Sequence, residues 1–341
     1  MSIWLFRAGR QGEYENKFLE DNRVYLTWDD LNTDLSMISE KGELYQALIN
    51  LYDLEKEKKA VNWASQIWPI AHRMEIGDWV VLPSKMNRTI HIGEITGNYQ
   101  YEESNGSPYY HFRDVRWFAK DIPRDRFDQD LLYSFGAFMT VCKIKRNDAE
   151  KRIREMYRNH WHIKKDKTIE DLVDENEDQV TFDLDEYIYD QISKRIIQRF
   201  KGHNMETLIE ELLKAKGFTT YRSPEGADHG VDILAASDTL GFGHPRICVQ
   251  VKTSDTPLDR PTLDQLIGTM SNFSAGFGLL VSWSGFKNSV MREVPKQFFK
   301  VRLWDSKTVI NELFKNYEHL SDEIKKEIPI KRVWMLDESD S

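Results

Sequence analysis

Cysteine is almost missing from this chain: Cys142 and Cys248 are the only two in 341 residues. Two thiols make neither a disulfide framework nor a Cys-based zinc site, and the nine histidines show no zinc-ligand spacing. No run approaches the roughly 18 apolar residues of a membrane span, so no membrane partner is expected. The opening Met1-Ser2-Ile3-Trp4-Leu5-Phe6-Arg7 lacks the layout of a signal peptide, and a cytoplasmic protein is the expectation. There is no internal repeat. The 40% hydrophobic content is enough for ordinary cores. At this length two domains are expected.

A net charge of −9 argues against nucleic acid until its distribution is considered. Residues 168–190 hold ten acids and no Lys or Arg. Without them the sum is −9 + 10 = +1. Residues 143–167 carry ten Lys and Arg against four acids. A global sum hides such blocks. The acidic run reads first as a solvated linker and second as an intramolecular DNA mimic. The basic run reads equally as a solvated helix face or as phosphate contacts.

Residues 1–145 are Trp-rich and mostly β, holding six of the ten Trp. Strands are predicted at 3–7, 24–28, 89–96 and 111–118, and residues 76–83 as a turn leading into another. A helical stretch over 44–68 is predicted to break at Pro69. Core packing is the first reading of any single Trp, because large aromatics are mostly buried. Trp28, Trp63, Trp68 and Trp79 sit at strand ends or near breaks, where the rim of a pocket can form. The stretch Ile76-Gly77-Asp78-Trp79-Val80-Val81-Leu82-Pro83, followed by strands at 89–96 and 111–118, is similar to PUA-like domains of the EVE and YTH type. That resemblance implies a small β-barrel seating a flipped or modified base in an aromatic pocket.

Residues 146–200 read as a charged helical linker. Residues 201–330 hold the constellation that reads as chemistry. Met205, Leu208, Ile209, Leu212 and Leu213 recur at helical spacing and Gly217 stops the helix. Val231-Asp232-Ile233-Leu234 and Ile247-Cys248-Val249-Gln250-Val251-Lys252 read as buried strands. Alternation puts Gln250 and Lys252 on one face, and Ile247, Val249 and Val251 on the other. If the two strands pair, Asp232, Gln250 and Lys252 converge and Glu206 approaches from the helix. An acid, a second oxygen donor and a lysine at one sheet edge suit a Mg²⁺ site for phosphodiester hydrolysis. His229 reads as a loop residue first and a DNA or metal contact second. Beyond Lys252, a helix over 262–274 carrying Gln265, a strand at 277–283, a helix at 289–299, a strand at 301–304 and a helix at 307–315 are predicted. Alternating helices and strands imply a mixed sheet covered on both faces.

Glu206, Asp232, Gln250 and Lys252 together resemble the PD-(D/E)xK nuclease superfamily, and within it the Mrr-like restriction endonucleases, over residues 202–315. Val231 stands where the superfamily has proline, and Gln250 where it has a second acid; the Q-x-K form is common in the Mrr branch. The resemblance implies that Asp232, Gln250 and Glu206 bind Mg²⁺, or Mn²⁺ in its place, with the Val251 carbonyl. It implies that Lys252 serves the attacking water or the phosphate. The expected fold is α+β and α/β: an N-terminal PUA-like barrel, then a PD-(D/E)xK mixed sheet flanked by helices. The expected activity is endonucleolytic cleavage of double-stranded DNA carrying modified bases, in restriction or phage defence, by a homodimer that forms at least transiently. The alternatives are a repair or RNA-directed nuclease, and a catalytically silent nucleic-acid-binding protein.

Overall fold

The computed structural model describes residues 1–53, 57–137, 139–146, 148–161, 184–224, 230–254 and 256–333. Most of the acidic run and His229 lie outside them. The chain divides into two compact units, Met1–Tyr187 and Ile188–Ser341. Among the described residues no helix is long and apolar enough to cross a membrane.

In the first unit the elements run β1 (Ile3–Phe6), α1 (Glu15–Asp21), β2 (Arg23–Tyr25), α2 (Lys41–Tyr52), α3 (Glu57–His72), β3 (Trp79–Pro83), β4 (Thr89–Ile95), β5 (Gln100–Tyr101), β6 (His111–Pro123), α4 (Gln129–Phe135), β7 (Val141–Lys143) and α5 (Ala149–Arg158). They build a curled sheet in the order β2-β6-β4-β3-β1-β7, with β5 also on β6. Among the described residues of this unit, only β1 and β3 pair in parallel. Alternate residues of these two strands feed two cores. Trp4, Phe6, Val80 and Leu82 join Leu44, Leu48, Ala64, Ile67 and Ile70 of α2 and α3. Ile3, Leu5, Trp79 and Val81 join Leu131, Phe135, Ala149 and Ile153 of α4 and α5. Burial on both faces explains why these strands read as continuous apolar runs. The order ends on β2 and β7, and closure into a barrel is not among the described pairings.

Two expectations are corrected here. Asp53, at φ 48°, ends α2 in the left-handed region, so 44–68 is two helices. Pro69 lies inside α3, which runs on to His72. A proline so close to the helix end removes one amide bond, and its carbonyl still accepts from Arg73 N and Met74 N. Strand β6 is also longer than predicted, with register shifts where β4 crosses it between Ile90 and Gly93. Such bulges bend and twist a strand.

Helix α6 (Leu184–Phe200) begins in the first unit and ends in the second. There follow α7 (Asn204–Ala215), β8 (Thr219–Arg222), β9 (Ile233–Ala236), β10 (Arg246–Lys252), α8 (Arg260–Asn272), β11 (Phe277–Ser282), α9 (Asn288–Met291), α10 (Val294–Gln297), β12 (Val301–Asp305), α11 (Ser306–Asn316) and α12 (Asp322–Glu327). The sheet order is β12-β11-β10-β9-β8. The β10, β11 and β12 strands run parallel, while β9 is antiparallel to both β10 and β8. One face packs on α7 and α11 through Val249, Val251, Leu208, Leu212 and Ile310. The other packs on α8 through Cys248, Leu280, Leu263 and Leu266. This is the expected mixed sheet flanked by helices.

Candidate active site

The alternation of β10 sorts its residues as the sequence predicts. Val249 and Val251 enter the core under α7 and α11, and Cys248 enters the core under α8. Gln250 and Lys252 therefore share the Cys248 face. Asp232 stands one residue before β9, in a bend rather than on the strand. It still continues the ladder: its amide donates to Val249 O at 2.9 Å and its carbonyl accepts from Ser223 N at 2.9 Å. Beyond the last strand pair, Ile233 with Val249, the Asp232 side chain takes over from the backbone. Its Oδ2 accepts the Val251 amide at 2.5 Å. The carboxylate is thus pinned beside Gln250 and is 6% exposed.

Gln250 is 2% exposed, and its Oε1 has no hydrogen-bond partner among the described residues. A buried amide oxygen left bare costs about 1–3 kcal/mol. Lys252 is half-buried at the strand end, and its carbonyl accepts from Trp283 N at 3.1 Å. Glu206 lies in the first turn of α7. That turn is tied to β8 by a hydrogen bond from Arg222 to the hydroxyl of Thr207, and Arg222 pairs with Ile233. Glu206 Oε1 accepts from His203 Nδ1 at 2.9 Å. Among the described residues no group of three or more His, Cys, Asp or Glu is placed to hold a metal. The candidate donor set is instead one carboxylate and one amide, those of Asp232 and Gln250.

Gly230 leads into the site at φ +84°, and a Cβ there would meet Thr269 Oγ1 at 3.4 Å and Gln265 Nε2 at 3.7 Å. Gln265, seen in the sequence only as a helix residue, thus borders the turn that delivers Asp232. The left-handed glycine was the available signal for that close approach.

The four tryptophans do not line one pocket. Trp28 and Trp63 meet edge to face at 6.2 Å. Tyr52 adds an edge to Trp63 at 5.1 Å, and Lys59 Nζ lies 4.9 Å above the same indole. Trp68 stacks on His72 at 3.7 Å, one turn along α3. Trp79 belongs to the core on the opposite face of the sheet, against Phe118 and Tyr157 and under the Arg154 guanidinium at 4.4 Å. Tyr52 escaped the sequence reading; its hydroxyl donates to Asp29 O at 2.6 Å. Burial, with Asp29 and Asp30 nearby, pushes that phenol up to about 12.

Two other buried groups in this unit are bound on every side. Asp78 accepts from Ser2 N at 2.6 Å, Trp4 Nε1 at 2.9 Å and Glu75 N at 3.2 Å, which explains the Gly-Asp-Trp stretch as a clamp on β1. Leu35 N donates to the Tyr99 hydroxyl at 3.0 Å, and that hydroxyl donates to His111 Nδ1 at 2.8 Å. His111 Nε2 then donates to Leu31 O at 2.7 Å. Burial holds His111 down at about 4, so the imidazole is neutral with its proton on Nε2.

Among curated proteins no relative matches this chain. Three solved structures are similar in parts. The protein of unknown function AF1548 is 11% identical with a TM-score of 0.26, over 32% of this chain and 65% of its own. The MspJI restriction endonuclease in complex with a 27-mer oligonucleotide is 10% identical with a TM-score of 0.32, over 90% and 73%. The DNA modification-dependent restriction endonuclease AspBHI is 12% identical with a TM-score of 0.33, over 74% and 67%. Residues 4–135 match a family model described as a domain of unknown function, DUF8426. Residues 197–313, which contain the whole Asp232–Gln250–Lys252 constellation, match the Mrr_cat family model, described as restriction endonuclease.

Proposed function

We propose that this protein is a Mg²⁺-dependent endonuclease that cuts double-stranded DNA carrying a modified base, in restriction or phage defence. The observation that carries this reading is the bare Oε1 of buried Gln250 beside the pinned carboxylate of Asp232. A divalent cation satisfies both oxygens at once, and it polarises the phosphate and the attacking water when bound. Asp232 and Gln250 hold it, Mn²⁺ serving in its place, with Glu206 completing the set. Gln250 contributes no charge, so the scissile phosphate supplies part of the balance. Lys252 extends from the same strand face and either stabilises the phosphate or handles the proton of the water.

In this reading residues 1–145 form a PUA-like reader, residues 146–200 a charged connection and residues 201–330 the nuclease. The base stacks at the cluster formed by Trp28 and Trp63, each aromatic contact worth about 1–3 kcal/mol. One constellation per chain means that cutting both strands takes two copies, at least transiently. Incubating modified and unmodified plasmids with the protein and Mg²⁺ tests the proposal. Metal-dependent cleavage of modified DNA is expected. Equal cleavage of both plasmids removes the modification dependence, and binding without cleavage favours the silent alternative.

A further inference from the structure

All four exposed phenylalanines among the described residues lie at one end of the second unit's sheet. They are Phe242, Phe277, Phe298 and Phe299, exposed by 70%, 42%, 52% and 83%. Strands β10, β11 and β12 run parallel, with Lys252 beside Ser282 and Ser282 beside Asp305 at the candidate catalytic end. Phe277 opens β11 at the other end, beside Ile247. There Gly278 N donates to Lys300 O at 2.8 Å, which brings the Phe298–Lys300 segment to the same edge. Arg246, at the start of β10, donates to Phe242 O through Nε at 3.1 Å and Nη2 at 2.6 Å, so the β9–β10 turn ends there too. One strand length, roughly 17 Å at about 3.3 Å per residue, separates this edge from Lys252.

Single apolar side chains on a surface are ordinary, but four rings gathered at one edge mark a binding surface. Phe298 and Phe299 meet at 89° with their centroids 5.2 Å apart. Arg302 Cζ lies 4.5 Å over the Phe298 ring, and the same guanidinium donates to Phe298 O. One face of Phe298 is thus covered by a cation, while Phe299 stands in solvent. Residues 292–302 hold four Lys and Arg against one acid. That acid, Glu293, is 9% exposed and lies 3.3 Å from Arg260 and 3.0 Å from Lys296. Asp238, on the β9–β10 turn, accepts from Phe242 N at 2.8 Å. The edge around Phe298 and Phe299 is therefore positive, which suits an anionic partner and opposes a second copy of the same surface.

The geometry points to a binding surface for single-stranded DNA at this edge, with unpaired bases on Phe277, Phe298 and Phe299 and phosphates at Lys300 and Arg302. In a duplex each base face is covered by its neighbours. Exposed rings set at right angles to one another can meet base faces only when the strand is unpaired. Aromatic platforms beside cations bind single strands in this way without reading their sequence, and a guanidinium over a ring extends the platform. The surface lies apart from the Asp232–Gln250 constellation. The choice of DNA over RNA rests on the reading of this unit as a DNA nuclease.

The test is a titration of a short, labelled, mixed-sequence oligodeoxynucleotide with the full chain in EDTA, so that cleavage does not interfere. Phe299→Ala should weaken single-strand binding by about fivefold or more, the loss of one base stack. Its melting temperature should not change, because the ring is exposed. Phe299→Leu keeps the apolar area without the ring face and should lose nearly as much. Arg302→Gln should make the salt slope shallower by about 0.7. Duplex affinity should be the same in parent and Phe299 variants. Parent-like single-strand affinity in Phe299→Leu, or in Phe298→Ala combined with Phe299→Ala, overturns the proposal. Tighter binding of RNA of the same sequence also overturns it. So does a loss of self-association in Phe299→Ala with strand binding unchanged, which would give the surface to a second copy. None of these outcomes bears on plasmid cleavage. Phe299-dependent strand binding by a protein that cuts no plasmid upholds the surface and sinks the nuclease reading alone.

Discussion

Two buried polar sites, one in each unit, differ in how far their atoms are satisfied. In the first, Asp78 and His111 sit deep in the fold with their polar atoms engaged. In the second, Gln250 is as deeply buried and keeps an acceptor bare. Equal burial therefore has opposite meanings. A saturated group fixes the fold, and removing it costs stability. A bare acceptor contributes little to the fold, and removing it costs only what was meant to bind there.

The largest effect expected from this contrast is on cleavage. Asp232→Asn keeps an acceptor for the Val251 amide but loses the charge, and should lower the rate by about 10³-fold or more in a plasmid assay with little change in melting temperature. Gln250→Leu is the sharper variant. It should abolish cleavage while leaving the melting temperature equal or higher, because it removes an unsatisfied buried acceptor. A large loss of stability in Gln250→Leu would show that the amide has a structural partner after all.

Next in size is Asp78→Ala, which orphans Ser2 N, Trp4 Nε1 and Glu75 N together. A loss of about 3 kcal/mol or more in urea unfolding is expected. The pH dependence is comparable. His111 is neutral when folded, at about 4, against 6.5 when unfolded, so in that window the unfolded chain binds the extra proton. Its contribution is complete above pH 6.5 and is lost as pH falls to about 4, a span worth roughly 3 kcal/mol. Unfolding curves at pH 7, 5 and 4 measure it, and Tyr99→Phe, which removes the donor to Nδ1, should narrow the window.

The smallest effect separates the tryptophans. Trp63→Ala should reduce the preference for a modified duplex by about 1–3 kcal/mol in a binding titration. Trp79→Ala, on the opposite core, should lower the melting temperature and leave the preference of the folded protein intact. The reverse pattern would move the base site to the other face of the sheet.

The second unit was largely legible because its signals are local. Alternation in six residues of β10 placed Gln250 and Lys252 on one face, and helical spacing in α7 placed its apolar side inward. Periodicity says which way a side chain faces and nothing about what it meets. That is why Trp79 was grouped with Trp28 and Trp63, which lie across the sheet from it. It is also why Asp78 read as a motif rather than as the clamp on Ser2 and Trp4. Pro69 misled for a related reason: it loses only its own amide's bond to the preceding turn, and its carbonyl still accepts from Arg73 and Met74 as the helix runs on to His72.

The position of β1 bears on how the chain comes off the ribosome. All four of its residues are buried, held between β3 in parallel and β7 antiparallel. This strand is thus completed by a piece of its unit more than 130 residues later, Val141–Lys143. At about 5–20 residues per second, an apolar Ile-Trp-Leu-Phe segment waits on the order of ten seconds for both neighbours. Pairings so distant along the chain are slow to form. Nascent chains stalled before residue 141 should therefore hold the N-terminal strand open to chaperones and proteases, and those stalled well beyond it should not.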